Sequence, residues 1–139
     1  PYTKQQLLEI ADQCCTLYGL QPWRTVRDAI CDILYNDEAR VSQTHRMAKS
    51  YPGHSGSKLD EPSKTIKAGA HGVPGGENMV ILDDGSSRYY TVREAARIQT
   101  FPDSFVFSSS WTENMRQIGN AVPVELARII GKSVSIHLS

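Results

Sequence analysis

Two amphipathic helices are predicted in the first part of the chain. Apolar residues recur at three- and four-residue spacing between Thr3, a suitable N-terminal cap, and Gly19, a natural stop. The stretch Thr25–Asp28 has the pattern of a capping box and opens a second, shorter helix. We expect both helices to pack into the core through their apolar residues, which are Leu7, Leu8, Ala11, Cys14, Cys15 and Tyr18 in the first and Val26, Ala29, Ile30, Ile33 and Leu34 in the second.

The pattern changes in the middle of the chain. Residues 37–63 are polar and basic with little periodicity, and the following Lys64–Lys67 suits a short strand. Met79–Leu82 predicts a strong short strand. The turn signal Asp84-Gly85 follows it, and residues 88–90 suit the returning partner strand.

Two further helices are predicted in the last part. One begins at the capping box Thr91–Glu94 and ends at Phe101-Pro102, because the residue before proline resists the helical region. Gly119-Asn120 predicts a turn, and Pro123 suits the first position of a last helix. That helix carries Leu126, Ala127, Ile130 and Val134 along one side, with Gly131 allowing close packing.

Composition indicates one ordinary globular domain. The 139 residues are 40 % apolar and 22 % charged, which argues against wholesale disorder and coiled coil. No apolar run approaches the roughly 18 residues of a membrane span, and no leader opens the chain, so membrane insertion and secretion are disfavoured. The sequence starts at Pro1, so either an initiator methionine was removed or the chain begins inside a longer one.

The three cysteines argue against a cysteine framework. Their number is odd and they form no C-x-x-C pair, so a disulfide scaffold and a tetrahedral zinc site are both disfavoured. All three fall in segments that read as helix, and we expect buried thiols in a reducing compartment.

Charge is balanced over the whole chain but uneven along it. Residues 39–71 carry six basic residues against two acidic ones, with three histidines in addition. This stretch indicates either a site for an anion or polyanion or simply a basic solvated surface. Six of the ten glycines lie between Gly53 and Gly76, without the phosphate-cradling P-loop pattern. They indicate either a set of tight turns or a loop that approaches a ligand closely.

Two long stretches resemble a known family. Arg88–Phe105 resembles the ninth motif of the cytosine-C5 DNA methyltransferases, and Arg116–Gly131 resembles their tenth and last motif, in the family's order and near its usual separation. Thr25–Ile30 resembles the segment that often opens the family's target-recognition region. Thr65-Ile66 looks like the Thr-plus-aliphatic pair of its recognition loops.

The resemblance implies a chemistry of which this chain carries only a part. Members of the family flip the target cytosine out of the duplex, add a thiolate from a Pro-Cys dipeptide to C6, and transfer a methyl group from S-adenosylmethionine to C5. No cysteine follows a proline in this sequence. Glu77–Met79 and Glu113–Met115 are superficially like the family's catalytic Glu-Asn-Val triplet, but that triplet precedes the recognition region. We therefore expect no catalytic residue here.

The chain thus resembles the C-terminal part of such an enzyme. The implied fold is α+β: a small target-recognition lobe of short strands and loops, flanked by helices. Its C-terminal helix would dock on a partner's doubly wound α/β cofactor domain. The expected divisions are residues 1–35 as an N-terminal helical segment, 36–109 as the recognition region with motif nine, and 110–139 as motif ten with the C-terminal helix.

Site residues are carried over where positions match the family's motifs. The resemblance implies that S-adenosylmethionine, mostly bound by the partner chain, contacts Asn120, Ala121 and Val122. It implies that DNA is contacted by Thr65, Lys64, Lys67, His71, Gly75 and Gly76, with Arg46, Lys49, His54 and Lys58 behind them. It implies structural roles for the motif-nine residues Arg88, Arg93, Glu94 and Arg97. No metal is expected. Alternatively, Asn120 merely shapes the turn, Val122 belongs to the core, Thr65 is an ordinary strand residue, and the basic residues are solvated charges.

The leading functional hypothesis is a split enzyme. The chain would be the small, DNA-recognising subunit of a bacterial, cytoplasmic, nucleoid-associated restriction–modification methyltransferase. It would be inactive without a larger subunit that carries the Pro-Cys nucleophile. In a closely related hypothesis, the chain is a piece of one continuous enzyme. Two other classes stay open: a non-catalytic, sequence-specific module that binds double-stranded DNA, and a plain interaction protein.

Overall fold

The computed structural model describes residues 3–19, 21–34, 48, 55–68 and 78–138. The arrangement is mixed, with helices around one small sheet, as the α+β expectation has it. No helix within these ranges is long and apolar enough to span a membrane. The elements are α1 (Lys4–Tyr18), α2 (Val26–Leu34), β1 (Ser57–Lys58), β2 (Met79–Ile81), β3 (Ser87–Tyr89), α3 (Val92–Ile98), α4 (Trp111–Asn120) and α5 (Val124–Leu138).

The first helix begins and ends where the sequence predicts. The Thr3 hydroxyl accepts from the amide of Gln6, and Gly19 follows the helix with φ +62°. Of the α1 residues predicted to pack into the core, Leu7 is 53 % exposed, so the prediction is wrong at this position. The side chains of Leu8, Ala11, Cys14, Cys15 and Tyr18 lie outside the described part of the structure. An amphipathic pattern shows which face favours burial, but not which element covers it.

The second helix is confirmed together with its cap. The Thr25 hydroxyl accepts from the amide of Asp28, and the Asp28 carboxylate accepts from the amide of Thr25. One face is buried through Val26, Ile30, Ile33 and Leu34. Cys31 lies off that face and is exposed, so the expectation of a buried thiol is wrong at this position.

The sheet has the order β1-β2-β3. β2 and β3 form the predicted antiparallel pair, with Val80 opposite Arg88 and Gly85 at φ +81° in the turn between them. β1 lies parallel to β2 on its other side. The prediction of a strand at Lys64–Lys67 is wrong, because this segment has no regular secondary structure and lies outside the sheet.

Between residues 91 and 121 the structure differs from the prediction in one helix boundary, one additional helix and the position of one turn. α3 has the predicted capping box, but it ends at Ile98, because the chain turns at Thr100 with φ +61°. α4 was not predicted, although Ser110 caps it by accepting from the amide of Glu113. The turn predicted at Gly119-Asn120 therefore comes one residue later, since α4 continues through Asn120.

One hydrophobic core joins α2, the sheet, α3 and α4. Ile30, Val80, Ala95 and Ile118 are fully buried within it. α5 contributes no buried residue, and nothing lies within 4 Å of the position that a Cβ on Gly131 would occupy. The predicted close packing at Gly131 is therefore absent among the described residues.

Candidate functional site

Segment 64–68 is fixed by a side chain rather than by a neighbouring strand. Asn78 is fully buried; its Oδ1 accepts from the amide of Lys67 at 2.9 Å, and its Nδ2 donates to the carbonyl of Lys67 at 2.8 Å. One side-chain amide thus makes both hydrogen bonds that a neighbouring strand would supply. The segment is thereby held in place without being part of the sheet.

Helix α4 packs directly against the same segment. A Cβ on Gly119 would lie 2.3 Å from the backbone nitrogen of Ala68 and 2.5 Å from the carbonyl carbon of Lys67. Only glycine permits this approach of helix to backbone. Segment 64–68 is therefore held between Asn78 on one side and the end of α4 on the other.

The turn that follows α4 presents its side chains outward. Asn120 is exposed, Val122 is 59 % exposed, and Ala121 is half-buried. The side chain of Asn120 makes no hydrogen bond with any residue in the described ranges. The alternative that Val122 belongs to the core does not hold in this structure. An exposed amide beside an exposed apolar side chain fits one edge of a small polar–apolar cofactor.

Segment 64–68 and this turn border one cleft of about 460 Å³. Lys64 and Thr65 line one side, and Gly119 and Ala121 line another. Arg24, just before α2, adds a further cation to the wall. The cleft therefore brings together candidate residues for DNA and a candidate residue for the cofactor.

The remaining cation of the cleft is neutralised within the protein. Arg97 donates to both carboxylate oxygens of Asp103, at 2.8 and 2.6 Å, and to Asp32 on α2. These hydrogen bonds hold the pKa of Asp103 and of Asp32 below the ordinary range. Arg97 thus ties α3 to α2, while Lys64 donates from Nζ to the Ser55 hydroxyl at 2.6 Å.

The other motif-nine residues also make internal contacts. Arg88 and Glu94 form a buried pair with two hydrogen bonds of 2.7 and 2.6 Å. Burial by itself raises the pKa of Glu94, but Arg88 and the amide of Thr91 outweigh it and lower the pKa. Arg93 donates to the carbonyl of Phe105 at 2.8 Å.

In both Glu-Asn-Met stretches the asparagine side chain is hydrogen-bonded to the backbone. Asn114 is buried like Asn78; its amide donates to the carbonyl of Ser109 and accepts from the amide of the same residue. Glu113 lies on the surface of α4, where its hydrogen bond with Arg116 lowers its pKa to about 2. In the described part of the chain, no three His, Cys, Asp or Glu side chains gather as a metal site requires.

Several predicted DNA contacts lie outside the described residues, and two residues that contact the turn after α4 were not predicted. Lys58 lies on β1 and pairs with Glu61 at 3.6 Å. The sequence assigned no role to Gln99 or Thr100, although both contact the chain around the turn that follows α4. The sequence signal that could have indicated them is that the polar pair Gln99-Thr100 lies between the apolar residues Ile98 and Phe101. The residues outside the described ranges are Arg46, Lys49, His54, His71, Gly75 and Gly76.

Comparison with known proteins identifies the family. Residues 14–135 match the family model of C-5 cytosine-specific DNA methylases. The chain is 46 % identical over 79 residues to the type II methyltransferase M.Eco47II of Escherichia coli, covering 57 % of this chain and 18 % of that protein. It is 36 % identical over 115 residues to M.HindV of Haemophilus influenzae, covering 79 % of this chain and 36 % of that protein.

A further relative extends over more of the chain. M.BsuRI of Bacillus subtilis is 32 % identical over 140 aligned residues, covering 84 % of this chain and 32 % of that protein. The chain thus spans 18–36 % of the length of these three relatives. Because the family model matches most of the sequence, the chain belongs to the C-5 cytosine-specific DNA methylase family.

Proposed function

We propose that this chain is the C-terminal, DNA-recognising part of a cytosine-C5 DNA methyltransferase, and that it works as the small subunit of a two-chain enzyme. The observation that carries the proposal is the shared cleft. Lys64 and Thr65 border it from the side of the recognition segment, and Gly119 and Ala121 border it from the side of motif ten. A methyltransferase must hold its DNA and its methyl donor next to each other, and this cleft brings the candidate DNA-binding residues together with Ala121, one of the candidate cofactor residues.

On the DNA side, Thr65 and Lys64 would bind backbone phosphate. Thr65 is exposed, and its hydroxyl makes no hydrogen bond with the described residues, so it is available to donate to a phosphate oxygen. Lys67 is exposed and lies two residues further along the same segment. A lysine in this place can bind phosphate or donate to guanine O6 and N7 in the major groove.

On the cofactor side, Asn120, Ala121 and Val122 would form one edge of the S-adenosylmethionine site. The exposed Asn120 amide can both donate and accept a hydrogen bond, and Val122 offers an apolar contact. The bound cofactor supplies an electrophilic methyl group. The described sheet has only three short strands, so we propose that the rest of the cofactor site and the Pro-Cys nucleophile come from a larger subunit.

Helix α5 would provide the contact with that larger subunit. Leu126, Ile129, Ile130 and Val134 are each 48–57 % exposed, although apolar side chains of this size favour burial. Full burial of such a side chain contributes about 1.5–3 kcal/mol, and covering the exposed half of each would contribute roughly half of that. A docked α5 would hold the motif-ten turn against the partner's cofactor domain. The motif-nine residues Arg88, Arg93, Glu94 and Arg97 would brace the recognition region from within.

The central test is methyl transfer from labelled S-adenosylmethionine to unmethylated duplex DNA. The chain, the larger methyltransferase chain encoded beside it, and their mixture are assayed in parallel. Activity only in the mixture supports the split enzyme. Activity of the larger chain alone, unchanged on mixing, refutes the obligate role and leaves a non-catalytic DNA-binding module. A single reading frame that joins both parts would instead make the chain a piece of one continuous enzyme.

Docking through α5 has its own test. Ile130→Glu places a charge on the apolar surface, and Lys132→Glu changes charge on the same helix without removing an apolar side chain. We expect the first variant to abolish co-purification with the larger subunit and the second to retain it. Loss in both, or in neither, would contradict docking through this surface.

A further inference from the structure

Gln99, directly after α3, holds both ends of the turn between α4 and α5. Its Nε2 donates to the carbonyl of Ile118 at 3.1 Å and to that of Ala121 at 3.2 Å. Its own carbonyl accepts from the amide of Val124 at 3.1 Å. One residue of motif nine therefore bonds backbone groups on each side of the motif-ten turn. The carbonyl of Ile118 also accepts from the amide of Ala121, and the amide of Val124 is one of those that a helix N-terminus leaves free.

Thr100 adds a fourth hydrogen bond at the start of α5. Its hydroxyl accepts from the amide of Glu125 at 2.9 Å, which is one of the amides that a helix N-terminus leaves free. Thr100 has φ +61°, the one positive value among the described non-glycine residues. This conformation is strained for a β-branched residue. Glycine would adopt it readily but has no hydroxyl to offer Glu125.

We propose that Gln99 and Thr100 are positioning residues for the cofactor. They would set the conformation of residues 120–122 without touching the ligand, so that the turn keeps its cofactor-binding shape when the DNA side of the cleft is empty. The inference rests on the proposed function, since it takes this turn as the S-adenosylmethionine contact. It adds that cofactor affinity is determined in part from motif nine.

The affinity test compares two glutamine-to-leucine variants of the active methyltransferase. Gln99→Leu removes the amide that holds the turn. Gln117→Leu is the matched control, because among the described residues the Gln117 side chain donates only to Glu113 on the surface of α4. We expect Gln99→Leu to weaken equilibrium binding of S-adenosylmethionine about tenfold, as loss of one or two hydrogen bonds implies, and to leave affinity for duplex DNA within about twofold. The control should change neither affinity.

The threonine is tested by a pair of variants that share its strained backbone. Thr100→Ala removes the hydroxyl, and Thr100→Ser keeps it. We expect the amide hydrogen of Glu125 to exchange faster and cofactor affinity to fall in the alanine variant, with both restored in the serine variant. Rescue by serine would distinguish the effect of losing the hydroxyl from the effects of relieved backbone strain and of general destabilisation.

The possible outcomes distinguish failure of the positioning role from failure of the proposed function. Variants at Gln99 and Thr100 that bind S-adenosylmethionine as tightly as the unchanged enzyme would overturn the positioning role and leave the proposed function intact. Equal losses of cofactor and DNA affinity would also overturn it, because they indicate a general structural role. An unchanged protein that binds no S-adenosylmethionine in its assembly would refute the proposed function, and the inference with it.

Discussion

Replacing Gly119 with alanine should disturb the cleft from within. The new Cβ would lie 2.3 Å from the nitrogen of Ala68, where ordinary contacts begin near 3.4 Å, so backbone must move by about 1 Å. Overpacking of this kind costs about 1–3 kcal/mol. The segment cannot simply retreat, because Asn78 holds the neighbouring Lys67 with two hydrogen bonds. Alanine's better helix propensity returns only about 1 kcal/mol.

Gly131→Ala is the matched control, since Gly131 lies in α5 with nothing within 4 Å of the added atom. There the propensity gain is unopposed, and stability should rise by up to about 1 kcal/mol. Urea unfolding of both variants measures the difference, and titration with duplex DNA reports on the displaced segment. A Gly119→Ala protein that is as stable as the control and binds DNA normally would refute the close packing.

The remaining predictions concern buried polar groups. Glu94→Gln should cost about 3–5 kcal/mol at pH 7, because it leaves Arg88 buried without its counter-charge. Since folding lowers the pKa of Glu94, its stabilising contribution is complete above the ordinary value of 4.5 and is lost as pH falls further. Urea unfolding across this range should therefore show the gap between variant and wild type narrowing in acid; a constant gap would contradict the ion pair. Asn78→Leu and Asn114→Leu each remove one doubly bonded amide and should each cost about 2–3 kcal/mol in urea unfolding, but only the first should weaken DNA binding. Equal losses of DNA affinity would argue against a special role for segment 64–68.

Capping residues made the helices predictable. Thr25–Asp28 and Thr91–Glu94 pair side chains with backbone amides over three residues, so the information is local and readable in sequence. The hairpin was equally local, because Asp84-Gly85 marks its turn. The same rule would have found α4, whose cap Ser110 stands three residues before Glu113.

The predictions that failed concern features that depend on contacts between residues far apart in the sequence. Lys64–Lys67 has the composition of a strand, but the group that pairs with it is the side chain of Asn78, eleven residues away. The exposure of Cys31 depends on which neighbours cover α2. The way the two sides of the cleft meet depends on Gly119 packing against Ala68, a contact between residues 51 positions apart that no local pattern records. The family motifs named the two sides of the cleft without indicating how they meet.

The stability of α5 links these observations to the proposed docking. A helix of 15 residues with no buried side chain gains little from tertiary packing, and isolated helices of this length are marginal in water. Its start is nevertheless defined, because Gln99 and Thr100 bind the amides of Val124 and Glu125. Motif nine thus fixes where α5 begins, and a covering surface would supply the energy that keeps the rest helical. Under the proposed function, docking would do more than join two chains, because it would stabilise the helix that follows the proposed cofactor turn.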